Sequence, residues 1–588
     1  MPVKVLLKNA FVVNVFTDEL VKQNVLIEDD RIIGVGDYTE DDLRSPKEAG
    51  ETDGTSAGGG EKTAAADTQV YDLKGRIICP GLIDGHIHIE STMMIPDELA
   101  RTVLPHGTTA IVADPHEIAN VCGADGIRYM LKVSENLPMD FFFTASSCVP
   151  STSFDETGAE MHAEDLREFY NEPRILGLAE MMNYPGVLFK DPDVLNKIKD
   201  AKAAGKVVDG HAPLLSGKDL DAYVAAGVES DHECSNLKEA VEKLSKGQYI
   251  MIREGTAARN LESLIGLFDP KYNRRCLLVT DDCHPTDLLH KGHIDNIIRR
   301  AAECGANPIV AIRMASLQAA EYFRLYGYGA VAPGYIANLT IVDDLKSFHV
   351  TDVFVHGKAV VRKSGLVDFE HPKADKELEE RVRDTFRVEP LKEEDFRIHE
   401  SNGPCRVIGV IPGQIITEER IEDIHFDINS GIDVKRDLLK IAVIERHHGT
   451  GHIGLGFIKG IGIREGAMAS SVSHDSHNII VIGASDADMA VAANRIIAMG
   501  GGNVVVKNGE DIARMALPIA GLMSDFPAEE TAAFNANVRQ AVYELGAPAD
   551  VEPFMNMAFV SLPVIPALKM STQGLIDVTG FRRVSLKL

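Results

Sequence analysis

Pro80-Gly81-Leu82-Ile83-Asp84-Gly85-His86-Ile87-His88 decides how the rest of the chain is read. An apolar run leads into two histidines two residues apart, and on a strand such a pair points to one side. Two imidazoles on one side hold a single metal ion together. The run itself, Ile77–Ile83, is the first of eight short apolar runs; the others are Thr109–Ala113, Phe141–Ala145, Ile175–Ala179, Lys206–Val208, Gly227–Glu229, Tyr249–Ile252 and Cys276–Val279. Between most of them lie segments long enough for a helix, such as Asp193–Ala204 and Asn236–Ser245. Strands alternating with helices imply a parallel sheet with helical crossovers. Eight such units predict an α/β fold, a TIM-type (β/α)8 barrel.

In that architecture chemistry sits at the C-terminal ends of the strands, and here polar clusters follow the apolar runs. The second run ends in Asp114-Pro-His116-Glu117, the fourth in Glu180, the fifth in Asp209-Gly-His211 and the sixth in Asp231-His232-Glu233. The seventh gives Arg253-Glu254-Gly255 and the eighth Thr280-Asp281-Asp282-Cys283-His284. Taken singly, a histidine is usually a satisfied structural residue, and a loop acid caps a helix or forms a salt bridge. Taken together, His86, His88, His211 and His232 at strand ends raise one another's standing as ligands. A carboxylate at Glu180 can bridge two cations through its two oxygens. Mixed imidazoles and carboxylates suit two hard-to-borderline divalent ions with a position left open for water. Water bound to such ions loses a proton near neutral pH, and a nearby carboxylate can pass that proton to a leaving group. Asp281 suits this role. The residues alone therefore read as a metal-dependent hydrolase.

The bulk properties narrow the field. At 588 residues the chain exceeds one core and divides into two to four domains. A formal charge of −28 repels nucleic-acid phosphates, so no nucleic-acid partner is expected. The absence of Trp argues mildly against a carbohydrate or aromatic-cage binder. Eight cysteines form no C-x-x-C pair, and the first residues show no signal-length apolar stretch; reduced thiols and a cytoplasmic location are expected. No run of 18 apolar residues predicts a membrane span.

Outward from the barrel, residues 1–75 read as short strands (Val3–Leu7, Ala10–Val13, Asn24–Ile27, Arg31–Val35) and the barrel as 76–330. Residues 45–67, rich in Gly, Ala, Ser, Thr and Glu, read as a solvated or disordered insertion. Strands Leu339–Val342, Asp352–Val355 and Lys358–Arg362, within 331–372, are expected to pair with the N-terminal strands as one small β domain. A charged linker, 373–395, leads to a C-terminal α+β domain, 396–588. Three motifs are set aside. His162-Ala-Glu164 lacks the Pro-Cys-x-x-Cys of a cytidine-deaminase site. Gly449-Thr-Gly451-His-Ile-Gly454 does not open a helix. His447-His448 read as loop residues.

With these residues in place the chain resembles the amidohydrolase superfamily, and within it the adenine deaminase family. The resemblance is carried by Pro80–Met93, Asp114-Pro-His116-Glu117, Asp209-Gly-His211-Ala-Pro, Ser230-Asp-His232-Glu233, Met251-Ile-Arg253-Glu254-Gly and Thr280-Asp281-Asp282. It extends to Ser473-His474-Asp475-Ser-His477-Asn478 near the C-terminus. Glu180 stands where many relatives carry a carbamylated lysine, which disfavours hydantoinase- or urease-like readings. The resemblance implies hydrolytic deamination of adenine to hypoxanthine and ammonia, with two divalent ions, Mn(II) or Fe(II) in preference to Zn(II), and self-association as a dimer or tetramer. It implies one metal on His86, His88 and Asp281, another on His211 and His232, and Glu180 between them. Asp281 would shuttle a proton to the amine. Glu233 would protonate ring N1, with Glu117 and Glu254 as substitutes. His116, Glu117, Glu254, His474 and His477 are further candidates for contacts at the site. Alternatives are another aminopurine, a cyclic amide or an N-acyl compound as substrate, or a barrel that binds metal or purine without catalysis.

Overall fold

The run Ile77–Ile83 is two strands, not one, and Gly81 between them is where one sheet ends and the next begins. The computed structural model describes residues 3–43, 68–256, 258–412, 414, 416–427 and 429–588; the expected insertion at 45–67 lies outside them. Ile77–Pro80 pairs antiparallel with Leu339–Val342, Pro80 opposite Leu339. Leu82–Ile87 is the first barrel strand, β1. A Cβ on Gly81 would stand 2.3 Å from Thr109 Oγ1, so a side chain here meets Thr109 at once.

The remaining barrel strands are β2 (Thr108–Ala113), β3 (Asp140–Ala145), β4 (Ile175–Met181), β5 (Val207–Gly210), β6 (Ser230–Asp231), β7 (Tyr249–Arg253) and β8 (Cys276–Val279). β1 to β5 pair in parallel in chain order, and so do β6 to β8. Two seams close the ring. Asp281 N donates to His86 O at 3.0 Å, and Glu229 N donates to Val208 O at 2.8 Å. The sixth strand corrects the expected Gly227–Glu229: the ladder forms at Ser230–Asp231, because Gly227 takes the left-handed cap of helix Gly217–Ala226. Gly210 permits the close approach of β5 to β6, since a Cβ there would lie 2.2 Å from Ser230 O.

Alternation along the strands separates two apolar faces. Ile111, Phe143, Ile250 and Leu278 join the core beneath the outer helices. Ile83, Val112, Val207, Met251 and Leu277 join a second cluster with Ala319, Tyr322 and Phe323 from and after helix Leu317–Tyr322. The crossover helices start where the sequence caps them. Asp191 accepts from Asp193 N and Val194 N, and Asn236 from Glu239 N; each such cap stabilises its helix by about 1 kcal/mol.

The flanks of the barrel join in a nine-stranded sheet, in which Leu339–Val342 and its neighbours extend the N-terminal strands. Val3–Leu7 and Ala10–Val13 fuse into a single strand, Lys4–Asn14, bulged between Leu7 and Ala10, where Asn9 has φ 57°. The C-terminal region holds an eight-stranded sheet. Helix Asp486–Met499 covers one face, and Ala528–Glu544 and Pro553–Val560 contribute to the cluster on the other. Ala528–Glu544 also faces the barrel: Ala528 N donates to Glu98 Oε2 at 2.9 Å. Among the described residues no helix is long and apolar enough to cross a membrane, and all eight cysteines are free.

Gly81→Ala is expected to destabilise the protein by about 1–3 kcal/mol, read as a lowered thermal midpoint. Adding Thr109→Ala should return part of the loss; an unchanged penalty in the double variant would place the strain elsewhere.

Candidate active site

β1 ends in His86 and His88, whose rings meet edge to face with centroids 4.9 Å apart. Across the barrel mouth His86 stacks on His232, centroids 4.4 Å apart. Glu180, at the end of β4, lies between two imidazole pairs. Its Oε1 is 3.3 Å from His88 Nε2 and 3.8 Å from His86 Nε2. Its Oε2 is 2.5 Å from His211 Nδ1 and 3.1 Å from His232 Nε2. Asp281 Oδ1 is 3.2 Å from His88 Nε2 and 3.9 Å from His86 Nε2. The structure thus brings together all six residues that the sequence put forward as ligands. Five are buried and His211 is nearly so.

The local fold explains the convergence. The β8–β1 seam sets Asp281 beside His86, and Asp281 has φ 62°, a left-handed conformation that Asp tolerates better than most residues. Beneath it, Asp84 accepts from His86 N and Thr280 N, each at 3.2 Å, and from Thr280 Oγ1 at 2.5 Å. One buried carboxylate therefore ties the two strand ends together.

The donor set fits divalent ions. His86 Nε2 is buried without a hydrogen-bond partner, which native proteins rarely tolerate unless something else satisfies the atom; His116 Nδ1 and Asp114 Oδ2 face each other at 3.1 Å. Ligand-type atoms of His86, His88 and Asp281 lie within 4.8 Å of one another, as do those of His86, Glu180 and His232, and of His88, Asp114, His116 and Glu180.

The wider mouth holds Arg253, which the sequence did not put forward as a site residue, and the further candidates His116, Glu117, His474 and His477. Arg253 ends β7 and donates through Nη1 to Asp281 Oδ2 at 2.5 Å and to Glu233 Oε1, and through Nη2 to Glu233 Oε2 at 3.0 Å. Its position at the end of an apolar run was the available signal. Glu117 is held by two imidazoles from the C-terminal region: His474 Nδ1 is 2.6 Å from Oε1, and His477 Nε2 meets Oε2. Between them Asp475 places Oδ1 3.9 Å from His116 Nε2, while its Oδ2 is buried and unpartnered. Glu254 corrects an expectation. It pairs with Arg300 Nε at 2.8 Å and lines a different cavity beside Arg299 and Gly292, because it follows β7 with the opposite facing from Arg253. His447 and His448 meet the carbonyls of Ser476 and Thr157 at 2.7 and 2.8 Å. His162 is an exposed helix cap. A cavity of 690 Å³ leads outward from Glu233 and Arg253, between Leu214 and His284 on the barrel and Gln414 and Met555 on the C-terminal region.

Electrostatics follow from this packing. Burial drives the Glu180 carboxyl upward, but His232 and His211 outweigh it and hold it well below the usual range. Asp281 is likewise lowered: burial opposes, and Arg253 and then His88 prevail. Glu233 is lowered by Arg253 against burial, and Glu117 by His474 and His477 against burial. His86 is pushed well down by burial and by His232 and His88, favouring the neutral ring that binds metal.

A barrel with imidazoles and carboxylates converging at its C-terminal strand ends is the architecture of metal-dependent amidohydrolases. The amidohydrolase family model matches residues 77–360, and the adenine deaminase C-terminal domain model matches 414–582. An adenine deaminase of Desulfatibacillum aliphaticivorans is 45% identical, covering 100% of this chain and 97% of its own. Adenine deaminase 2 of Carboxydothermus hydrogenoformans is 42% identical with the same coverage. Among solved structures, the beta-aspartyl dipeptidase of Fervidobacterium islandicum AW-1 is 15% identical over 63% of this chain and 99% of its own, with a TM-score of 0.45. The chain belongs to the adenine deaminase family of the amidohydrolases. That membership implies the use of divalent metal.

Replacing Glu180 by Gln should lower bound metal, counted by elemental analysis of Mn-loaded protein, from about two ions per chain to one or fewer. Two ions retained in a folded variant would remove Glu180 from the centre.

Proposed function

We propose that the protein hydrolyses adenine to hypoxanthine and ammonia. The observation that carries this reading is the match of the whole chain, barrel and C-terminal region together, to adenine deaminases at 42–45% identity. His86, His88 and Asp281 would hold one divalent ion, His211 and His232 another, and Glu180 would bridge them. Asp114 and His116 stand against the first. Mn(II) or Fe(II) suits the carboxylate share of this set at least as well as Zn(II). Such ions supply Lewis acidity that brings the pKa of a water toward neutrality.

The protein's own groups account for the protons. Glu233 starts ionised beside Arg253, so it takes a proton from the attacking water and delivers it to ring N1 as oxygen adds to C6. Asp281 takes the remaining hydroxyl proton and gives it to the exocyclic amine. The C6–N bond then breaks, C6 becomes a carbonyl, and ammonia leaves. Arg253 donates to both carboxylates and favours the ionised form of each. Glu117, clamped by His474 and His477, lines the same cavity as Glu180, Glu233 and Asp281, as do Asp282 and Asp475.

Ammonia release from Mn-loaded protein offered adenine, adenosine, guanine and a cyclic amide tests the reading. Release from adenine, lost by on the order of 100-fold or more in Asp281→Asn, supports it; turnover of the cyclic amide alone overturns the substrate. His474→Ala with His477→Ala should lower kcat by roughly 10–100-fold while leaving metal content unchanged. Full activity in that variant would reduce the C-terminal loop to a structural turn.

A further inference from the structure

His211 and His232 both lie beyond the end of their strands. β5 stops at Gly210, and β6 is two residues long and stops at Asp231. No strand ladder therefore fixes either imidazole, yet both approach the same oxygen of Glu180. His211 N donates to Tyr223 Oη at 3.1 Å and His232 O accepts from Asn260 Nδ2 at 3.1 Å, and a buried cation on the helix between β6 and β7 ties the neighbouring residues together. Lys243, on Leu237–Ser245, is 0% exposed. Its ammonium donates to Ala212 O at 2.8 Å, Glu239 Oε1 at 2.9 Å and Asp231 Oδ2 at 3.0 Å, which uses all three of its protons.

Each partner reaches the residues beside a ligand. Asp231 Oδ2 also accepts from Ala212 N at 3.1 Å, and its Oδ1 from Glu233 N at 2.7 Å. Glu239 accepts from Leu214 N at 2.8 Å through Oε1, and from Ser235 N at 3.1 Å through Oε2. The residue after His211, and the residues on both sides of His232, are thus bound into one network. Leu214 is held at φ 61° within it. Lys243 touches neither ligand and lies outside the cavity.

We propose that Lys243 is a positioning residue. With Asp231 and Glu239 it sets the spacing of His211 and His232, and hence the ability of that pair to hold an ion. The proposal rests on the reading of these histidines as metal ligands. Outer groups that orient ligands change metal affinity by about 10–100-fold, and an effect of that size on one of the two ions is expected.

The test is titration of the metal-free, full-length protein with Mn(II), followed by calorimetry and by elemental analysis after desalting. In Lys243→Met, circular dichroism should stay that of the wild type, one ion should bind with wild-type affinity, and the second should bind about 10–100-fold more weakly. kcat should fall while KM changes less than about threefold. Loss of the lysine leaves two buried carboxylates unbalanced, so Asp231→Asn/Lys243→Met, which removes one charge of each sign and leaves Glu239, is measured beside it. The weakened second site should persist there. Two ions at wild-type affinity in either folded variant would overturn the proposal. If instead His211→Ala leaves both ions of the wild type in place, the ligand reading itself fails.

Discussion

The structure depends on one buried carboxylate being shared by two pairs of imidazoles. Glu180 turns one oxygen toward His86 and His88 and the other toward His211 and His232. A buried charge is tolerated only when it is paired. Here the surroundings add further acids: Asp114, Glu117, Glu233, Asp281, Asp282 and Asp475 all lie at the same mouth. Arg253 compensates two of them, His474 and His477 hold Glu117, and His116 faces Asp114. The remainder is an excess of negative charge and lone pairs in a volume largely closed to solvent, an environment whose natural complement is divalent cations. The same demand explains why His86 Nε2 and Asp475 Oδ2 are buried without a hydrogen-bond partner.

Meeting that demand sets requirements on the scaffold. The six ligand candidates sit at or just beyond the ends of β1, β4, β5, β6 and β8. Around the pair after β5 and β6 the fold adds a second support by burying Lys243 among Ala212, Asp231 and Glu239. Burial of a lysine is costly unless every proton is used, and here every proton is used. Strand ends bring the candidates together, and a charge-assisted side-chain network reinforces the side that carries His211 and His232.

Much of this was legible from strand-end residues. The eight-unit barrel and the six ligand candidates followed from apolar runs ending in His, Glu or Asp, because period and terminus are local properties of sequence. The failures were also local in cause. Ile77–Ile83 reads as one run because Gly81 breaks no periodicity, although a side chain there would meet Thr109. The sixth strand was misplaced by three residues because a β-run this short carries almost no pattern. Glu254 and Arg253 are adjacent, and only facing decides which enters the site. Arg253, Asp114 and Asp475 gain their roles from partners distant in the chain, and one sequence does not display such pairing.

The C-terminal region shows this most clearly. Ser473-His474-Asp475-Ser476-His477 reads in sequence either as a cover over the barrel mouth, with His474 and His477 as site contacts, or as a polar turn; in the structure four of these residues point at groups on other elements. His474 and His477 grip Glu117, Asp475 faces His116, and Ser473 meets Ser561. The turn is held from behind by Arg446, which is fully buried and donates to the carbonyls of His477 and Ala520 and to Thr385 Oγ1. A guanidinium buried against carbonyls is destabilising by itself; burial lowers its pKa to about 9, only partly opposed by Cys122 and Glu445. Retaining it makes physical sense where the loop it anchors must keep an exact relation to another domain. The barrel carries the centre, and the second domain closes it, with imidazoles that hold a barrel carboxylate in place.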